Sequence, residues 1–84
     1  MNGTMINQNV EYGVFKKHYD GYFQFEMENG DTIVFEEVSQ KVIRKFDLRS
    51  DLFKGKSFEI TYSEYIEDDD EDFMFFKIEK LELA

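Results

Sequence analysis

Apolar and polar residues alternate through the first half of the chain with the two-residue period that is typical of β-strands. The segment between Asp20-Gly21 and Asn29-Gly30 has a large apolar side chain at every second position, and residues 31–37 continue the pattern. Both dipeptides favour two-residue hairpin turns, because Asn, Asp and Gly tolerate the positive φ angles that these turns need. We therefore predict a three-stranded meander over the first 37 residues. Its clearest inward-facing positions are Phe23, Phe25, Met27, Ile33 and Phe35.

Two strands change phase along their length. The apolar residues of the first strand, about residues 10–18, lie at even positions as far as Val14 but then at Phe15, beside Gly13. The last strand, which begins near Phe73, changes phase around Glu79-Lys80. A phase break, especially one beside glycine, predicts a β-bulge or a sharp bend.

The apolar period changes to four residues after the meander. Val38, Val42 and Phe46 recur at this spacing, and Ser39 is a suitable N-cap, so we predict one short amphipathic helix. Residues 58–62 then alternate again as a fourth strand. We expect a core that contains Phe23, Phe25, Phe35, Phe58, Ile60, Phe76 and Ile78.

The predicted order of elements is β-β-β-α-β-β in a mainly β chain. It resembles the OB-fold, a five-stranded, partly open β-barrel with Greek-key connections, and bent first and last strands suit closure of a small barrel. An SH3-like barrel and an open α+β sheet are the alternatives. We expect a single domain over residues 1–84, with a flexible N-terminus at residues 1–8 and an acidic loop at residues 64–72.

Composition supports a folded chain and excludes several classes of site. The 84 residues include ten phenylalanines and five tyrosines, which a disordered acidic segment would lack. The absence of cysteine excludes disulfides, thiolate metal sites and a thiol nucleophile. No apolar run approaches the length of about 20 residues needed to span a membrane. We expect a cytoplasmic protein that does not bind membranes.

Acidic charge is concentrated in the last third of the chain. Residues 1–56 hold nine acids and eight bases, whereas residues 57–84 hold ten acids and two bases. The centre of this charge is Glu67, Asp68, Asp69, Asp70, Glu71 and Asp72, six consecutive carboxylates that repel one another within a Debye length of about 8 Å. This repulsion favours a solvated loop.

The acidic run favours binding to a basic protein surface, because complementary charge steers association and gives specificity. In a sharper form of this hypothesis, the protein mimics nucleic acid and inhibits a nuclease or a DNA-binding protein. The alternative is that the run only solubilises the chain. We expect a monomer or a homodimer. The candidate protein-binding residues are Tyr65, Glu67, Asp68, Asp69, Asp70, Glu71, Asp72 and Phe73.

Binding of single-stranded nucleic acid is an alternative, since aromatic residues such as Tyr12, Phe15 and Tyr22 could stack on bases. The acidic run opposes it, because affinity for phosphates depends mainly on Lys and Arg. The clearest basic positions are Lys16, Lys17, Lys41, Arg44 and Lys45.

Weak binding of a divalent cation is a further alternative. Asp68, Asp70, Asp72 and Glu79 match positions 1, 3, 5 and 12 of an EF-hand loop, but position 6 is Phe73 instead of glycine. We therefore expect no dedicated metal site.

We also expect no catalysis and no cofactor. His18 is the only histidine, and the chain contains no Gly-x-Ser-x-Gly motif and no glycine-rich phosphate loop. The exposure of Phe75 is informative, because Tyr22, Tyr65, Phe73 and Phe75 would form an apolar patch beside the acidic run if they are exposed together.

Overall fold

The structure, a computed structural model, describes the backbone of residues 3–67 and 70–84 and the side chains of residues 3–66 and 74–84. Within these limits the chain forms one curled six-stranded sheet and a short helix, so the prediction of a mainly β, barrel-like fold with one helix is confirmed. The sheet order is β3-β2-β1-β5-β6-β4. The elements are β1 (Gly3–Tyr19), β2 (Tyr22–Met27), β3 (Thr32–Phe35), β4 (Glu37–Val38), α1 (Gln40–Lys45), β5 (Ser57–Glu67) and β6 (Asp70–Leu83).

The first predicted turn is confirmed and the second is one residue longer than predicted. Asp20 and Gly21 both have positive φ, at 49° and 82°, in a two-residue turn that connects β1 to β2. In the second hairpin the Met27 N–H donates to the Asp31 C=O, which leaves a three-residue loop. Gly30, with φ of 93°, provides the left-handed residue that such loops need.

Strand β1 gains β2 as a second neighbour at Gly13, where the sequence predicts a bulge or a bend, and we call this position the bend. Gly13 is paired with Met27 of β2 and with Phe58 of β5, whereas the preceding residues of β1 pair only with β5. A Cβ atom on Gly13 would lie 2.9 Å from the Met27 sulfur and 3.1 Å from the Glu26 carbonyl oxygen. Glycine therefore allows three strands to approach closely at the bend. The β-bulge itself lies nearby, between Phe15 and Lys17.

The positions of β1 that face the core are not those that its apolar residues suggest. Val10 and Tyr12 are exposed at 59% and 47%, while Phe15 is fully buried. The even positions before the bend therefore face solvent, and Phe15 is a core residue that cannot stack on a base.

The predicted third strand is divided at Glu36 into β3 and β4. β3 pairs with β2 at one edge of the sheet, and β4 pairs in parallel with Lys77 and Ile78 of β6 at the other edge. The Glu36 N–H donates to the Phe76 carbonyl oxygen. Because the two edge strands are consecutive in the chain, the sheet must curl towards closure.

Helix α1 is shorter than predicted but begins at the predicted cap. The Ser39 hydroxyl accepts from the Val42 N–H and donates to the Glu79 carbonyl oxygen, which attaches the helix to β6. This six-residue helix is too short to cross a membrane, and none of the described residues form a helix that could do so.

All seven residues that we expect in the core belong to the buried cluster or pack against it. The buried cluster is Phe15, Phe23, Phe25, Met27, Phe35, Val42, Phe46, Leu48, Phe58, Ile60, Tyr62, Ile78 and Leu81, with Phe76 partly buried against it.

Two predicted irregular segments are largely strand. Residues 1–8 were expected to be flexible, but β1 begins at Gly3 and pairs with β5 from there on. Residues 64–72 were expected to form a loop, but β5 continues to Glu67 and β6 begins at Asp70. The backbone N–H and C=O groups of these segments form hydrogen bonds with the neighbouring strand. Repulsion between neighbouring carboxylates does not break these backbone hydrogen bonds. Asp68 and Asp69 lie outside the described residues.

Candidate protein-interaction surface

Three strands extend together at the end of the sheet that carries the acidic run. We define the arm as Gly3–Asn9 of β1, Tyr62–Glu67 of β5 and Asp70–Phe76 of β6, which pair antiparallel in that order. Glu67 is the cross-strand partner of Asp70, while Ile66 pairs with Met74. The backbone pairing thus brings the first and fourth residues of the acidic run together at the end of the arm.

An aromatic stack lies on one face of the arm. The rings of Tyr65 and Phe75 are 5.2 Å apart and nearly parallel, with 7° between their planes. A Cβ atom on Gly3 would lie 3.1 Å from Phe75 and 3.3 Å from Tyr65, so glycine lets both rings lie close to β1. Phe75 is only 5% exposed. The condition for an exposed patch that includes Phe75 is therefore not met, because stacking on Tyr65 and Gly3 covers its ring.

Glu79 fixes the candidate anchor Tyr65 in place. Its Oε2 atom accepts from the Tyr65 hydroxyl at 2.9 Å and from the buried Ser63 hydroxyl at 3.0 Å, and its Oε1 atom is 3.7 Å from the Lys77 Nζ atom. Glu79 occupies the predicted bulge in β6, where the pairing with β5 shifts between Ile78 and Lys80. The hydrogen bond to Glu79, with smaller contributions from desolvation and from the charge of Glu79, raises the pKa of Tyr65.

The same pairing of tyrosine with glutamate occurs twice more beside the arm. Buried Tyr62 donates to the Glu11 carboxylate, and exposed Tyr12 donates to the Glu59 carboxylate at 3.0 Å. Burial, followed by the hydrogen bond to Glu11, raises the pKa of Tyr62 well above its usual range. The hydrogen bond to Glu59 and its charge raise the pKa of Tyr12. These tyrosines are therefore kept neutral and serve as hydrogen-bond donors.

Of the candidate binding residues, only Tyr65 has a described side chain. Glu67, Asp70, Glu71, Asp72 and Phe73 are described in their backbone, as strand residues, and Asp68 and Asp69 lie outside the described part of the chain. Sequence reasoning missed the glutamates that bind the tyrosines. The signal for Glu79 was present, since the phase break at this residue predicts the bulge that it occupies.

The basic and aromatic residues that could favour nucleic acid are engaged in other contacts. Lys16 lies 3.6 Å from Glu26, Lys17 lies over the ring of Tyr19, and Phe15 is in the core. The partly exposed Tyr22 ring lies 6.1 Å from that of Tyr19. Glu26 partly offsets the charge of Lys16, whereas Lys41 and Lys45 line an open groove beside α1.

The described residues do not contain a cluster of three or more metal-ligating side chains. Among the four matches to an EF-hand, only Glu79 has a described side chain, and its carboxylate already binds Ser63 and Tyr65. Residues 70–78 form a strand instead of a calcium-binding loop. The ring of His18 packs 4.8 Å from that of Phe23.

Comparisons with protein-family models, with curated proteins and with solved structures find no match.

Proposed function

We propose that the protein is a non-enzymatic interaction module whose acidic arm binds a basic surface of another protein. The observation that carries this proposal is the cross-strand pairing of Glu67 with Asp70. Paired residues have Cα atoms about 4.5–5.5 Å apart, well within a Debye length of about 8 Å. Two acids of the run are therefore cross-strand neighbours as well as near neighbours in sequence, which concentrates negative charge at this end of the arm. A cationic partner relieves their mutual repulsion, which is a gain specific to the bound state.

The composition of the arm supports this role. Residues 62–78 contain seven acids and one base, Lys77, which lies beside Glu79. The Tyr65–Phe75 stack and the bond from Tyr65 to Glu79 stiffen the strands behind the acidic run. A stiff support reduces the conformational entropy lost on binding, so less of the attraction is spent on ordering the arm.

The finer description of the fold is part of the same proposal. The parallel pairing of β4 with β6, together with the order β3-β2-β1-β5-β6-β4, supports an OB-type barrel in which β3 and β4 act as one interrupted strand. In such a barrel, the loops after the first and fourth main strands flank the usual ligand-binding face. If β3 and β4 are counted as one strand, the fourth main strand is β5, and the acidic run begins at its last residue, Glu67. We also propose that the protein is cytoplasmic. In the sharper form of the proposed function, it is an inhibitor that mimics nucleic acid.

Affinity capture with quantitative mass spectrometry tests the proposal. The test variant replaces Asp68, Asp69, Asp70 and Glu71 with serine, and we expect its capture of basic partners to fall at least tenfold. Competition by duplex DNA for the same partners would support nucleic-acid mimicry.

A matched control removes the same amount of charge from exposed acids of the barrel, in the combination Asp20→Asn, Glu36→Gln, Asp51→Asn and Glu82→Gln. This control should capture the partners as the natural chain does. Equal capture by the test variant and the natural chain would contradict the proposal and leave a solubilising role for the acidic run.

A further inference from the structure

One side of the first strand of the arm is open. Residues 3–11 of β1 pair with β5 on one side, but β2 pairs with β1 only from Gly13 onwards. In the part of the chain that the structure describes, no strand covers the other side of residues 3–11. We call this side the free edge.

The backbone directions at the free edge follow from two hydrogen bonds near the bend. The Tyr12 carbonyl accepts from the Glu28 N–H at 2.8 Å, so the polar backbone atoms of Tyr12 point to the β2 side. The Phe15 N–H donates to the Lys56 carbonyl at 3.0 Å, on the opposite side. Because these directions alternate along a strand, Gln8 and Val10 present their N–H and C=O groups at the free edge.

The side chains along this edge do not discourage pairing. Residues 3–10 contain no charged residue and no proline, although charge and proline are the usual means of protecting an exposed edge. Met5, Ile6 and Val10 are about half exposed, at 51%, 49% and 59%. The bulge at Ile6 interrupts the register. A regular added strand would therefore pair along residues 7–11.

Charge at the two ends of the free edge selects the occupant. At one end, Glu11 and Glu28 line an open groove of about 410 Å³ together with Tyr12 and Asn29. At the other end, β1 begins opposite Glu67, the first residue of the acidic run. A second copy of this chain would bring its own acidic run towards these carboxylates, whereas a strand rich in Lys and Arg would be attracted at both ends.

We propose that the free edge of β1 accepts an extended Lys- and Arg-rich segment of the partner as an added β-strand. Backbone hydrogen bonds from Gln8 and Val10 supply affinity, and the acids at both ends of the edge supply specificity. This inference rests on the proposed function, since it assigns the manner in which the basic partner is held.

A defined peptide tests the inference without knowledge of the natural partner. The probe is a ten-residue peptide of alternating Lys and Thr, and the comparison is the same sequence N-methylated at every amide. We expect the methylated peptide to bind at least tenfold more weakly, because it keeps the charges but cannot donate backbone hydrogen bonds. Amide hydrogen exchange at Gln8 and Val10 should slow only with the unmodified peptide.

Substitution in the protein gives an independent measurement. Val10→Pro removes a donor that faces the free edge, where proline is compatible with a strand. We expect this variant to bind the unmodified peptide about tenfold more weakly than the natural chain does. This is the effect of losing one hydrogen bond whose net contribution is at the upper end of the usual range. Val10→Thr keeps the donor and should bind normally. Circular dichroism and the urea midpoint show whether the proline variant keeps its fold.

Three outcomes would overturn the inference. Equal binding of the two peptides would place the contact at the acidic run alone and leave the proposed function intact. Failure of both peptides to bind would count against the inference and the proposed function together. Sedimentation that shows a dimer of the natural chain and a monomer of the Val10→Pro variant would assign the free edge to a second copy.

Discussion

At the scale of single residues, the main finding is that three tyrosines are each bound to a glutamate. Tyr12, Tyr62 and Tyr65 donate to Glu59, Glu11 and Glu79 respectively. Each carboxylate favours the neutral phenol, because a phenolate beside it would be repelled and could not donate. Some of the excess acid in this chain is thus used to fix aromatic rings in the sheet.

This pairing predicts a loss of stability at alkaline pH. The folded-state pKa of Tyr62 is raised above the value of 10.0 expected for the unfolded chain. Its contribution to stability is therefore complete below pH 10 and is lost as the pH rises above it, by up to about 1.4 kcal/mol per pH unit. Tyr62→Phe keeps the ring but cannot ionise, so its free energy of unfolding should fall less between pH 9.5 and 11.5.

Urea unfolding at several pH values measures this difference. Tyr19→Phe is the control, since it removes an exposed phenol that lies outside the three tyrosine–glutamate pairs. Identical pH dependence of the Tyr62→Phe variant and the natural chain would show that Tyr62 ionises equally easily in the folded and unfolded states.

At the scale of elements, strand β1 determines how the sheet and the arm are joined. Its C-terminal half pairs with β2 in the barrel, and its N-terminal half pairs with β5 in the arm. The change takes place at Gly13, where the backbone of one strand meets side chains from two others. The close approach of the three strands therefore depends on the absence of a side chain at this position.

Gly13→Ala should destabilise the fold by about 1–3 kcal/mol, the usual range for overpacking. The new Cβ atom would lie 2.9 Å from the Met27 sulfur, 3.1 Å from the Glu26 carbonyl oxygen and 3.2 Å from the Ile60 Cδ1 atom. The sulfur can move, but the carbonyl oxygen belongs to a paired strand. Thr4→Ala, at an exposed position of the same strand, should change the urea midpoint little. A stability of Gly13→Ala equal to that of the natural chain would contradict this account of the bend.

The parts of the fold that could be predicted from sequence depend on local patterns. The parity of Phe23 and Phe25 predicts a buried face, and Asp20-Gly21 predicts its turn, because both signals act within a few residues. The break at Glu36 could not be predicted, since it arises from pairing between β4 and the distant strand β6. The exposure of Val10 could not be predicted for a related reason. An apolar residue on an open strand fits the same alternating pattern as an apolar residue that faces the core.

The secondary structure of the segment that carries the candidate residues was not predicted. Repulsion between carboxylates predicts a loop at residues 64–72, and this argument considers neighbours along the chain only. Pairing of β5 with β1 and β6 extends the strands into this segment. The burial of Phe75 likewise depends on Gly3, which lies more than 70 positions away in sequence.

At the scale of the whole molecule, charge is separated along β6. The acidic run lies at the start of this strand, and an open groove of about 340 Å³ beside its later part is lined by Lys41, Lys45 and Lys80 together with Glu79. Glu79 lies nine positions after Asp70, which corresponds to about 30 Å along an extended strand. If the proposed function is correct, this separation of charge would attract a basic partner to the arm and repel it from the groove beside α1, and so would orient the partner.

The most direct test of the central claim maps a basic ligand onto this separated charge. The measurement is a two-dimensional ¹⁵N NMR titration of the labelled protein with the unmodified Lys-Thr peptide at low salt. The account predicts shift changes that begin in the arm, at residues 62–67 and 70–76 and along the free edge, with little change in α1 and fading of the effect at high salt. Changes centred on Lys41, Lys45 and Lys80, or an absence of change in the arm, would contradict it.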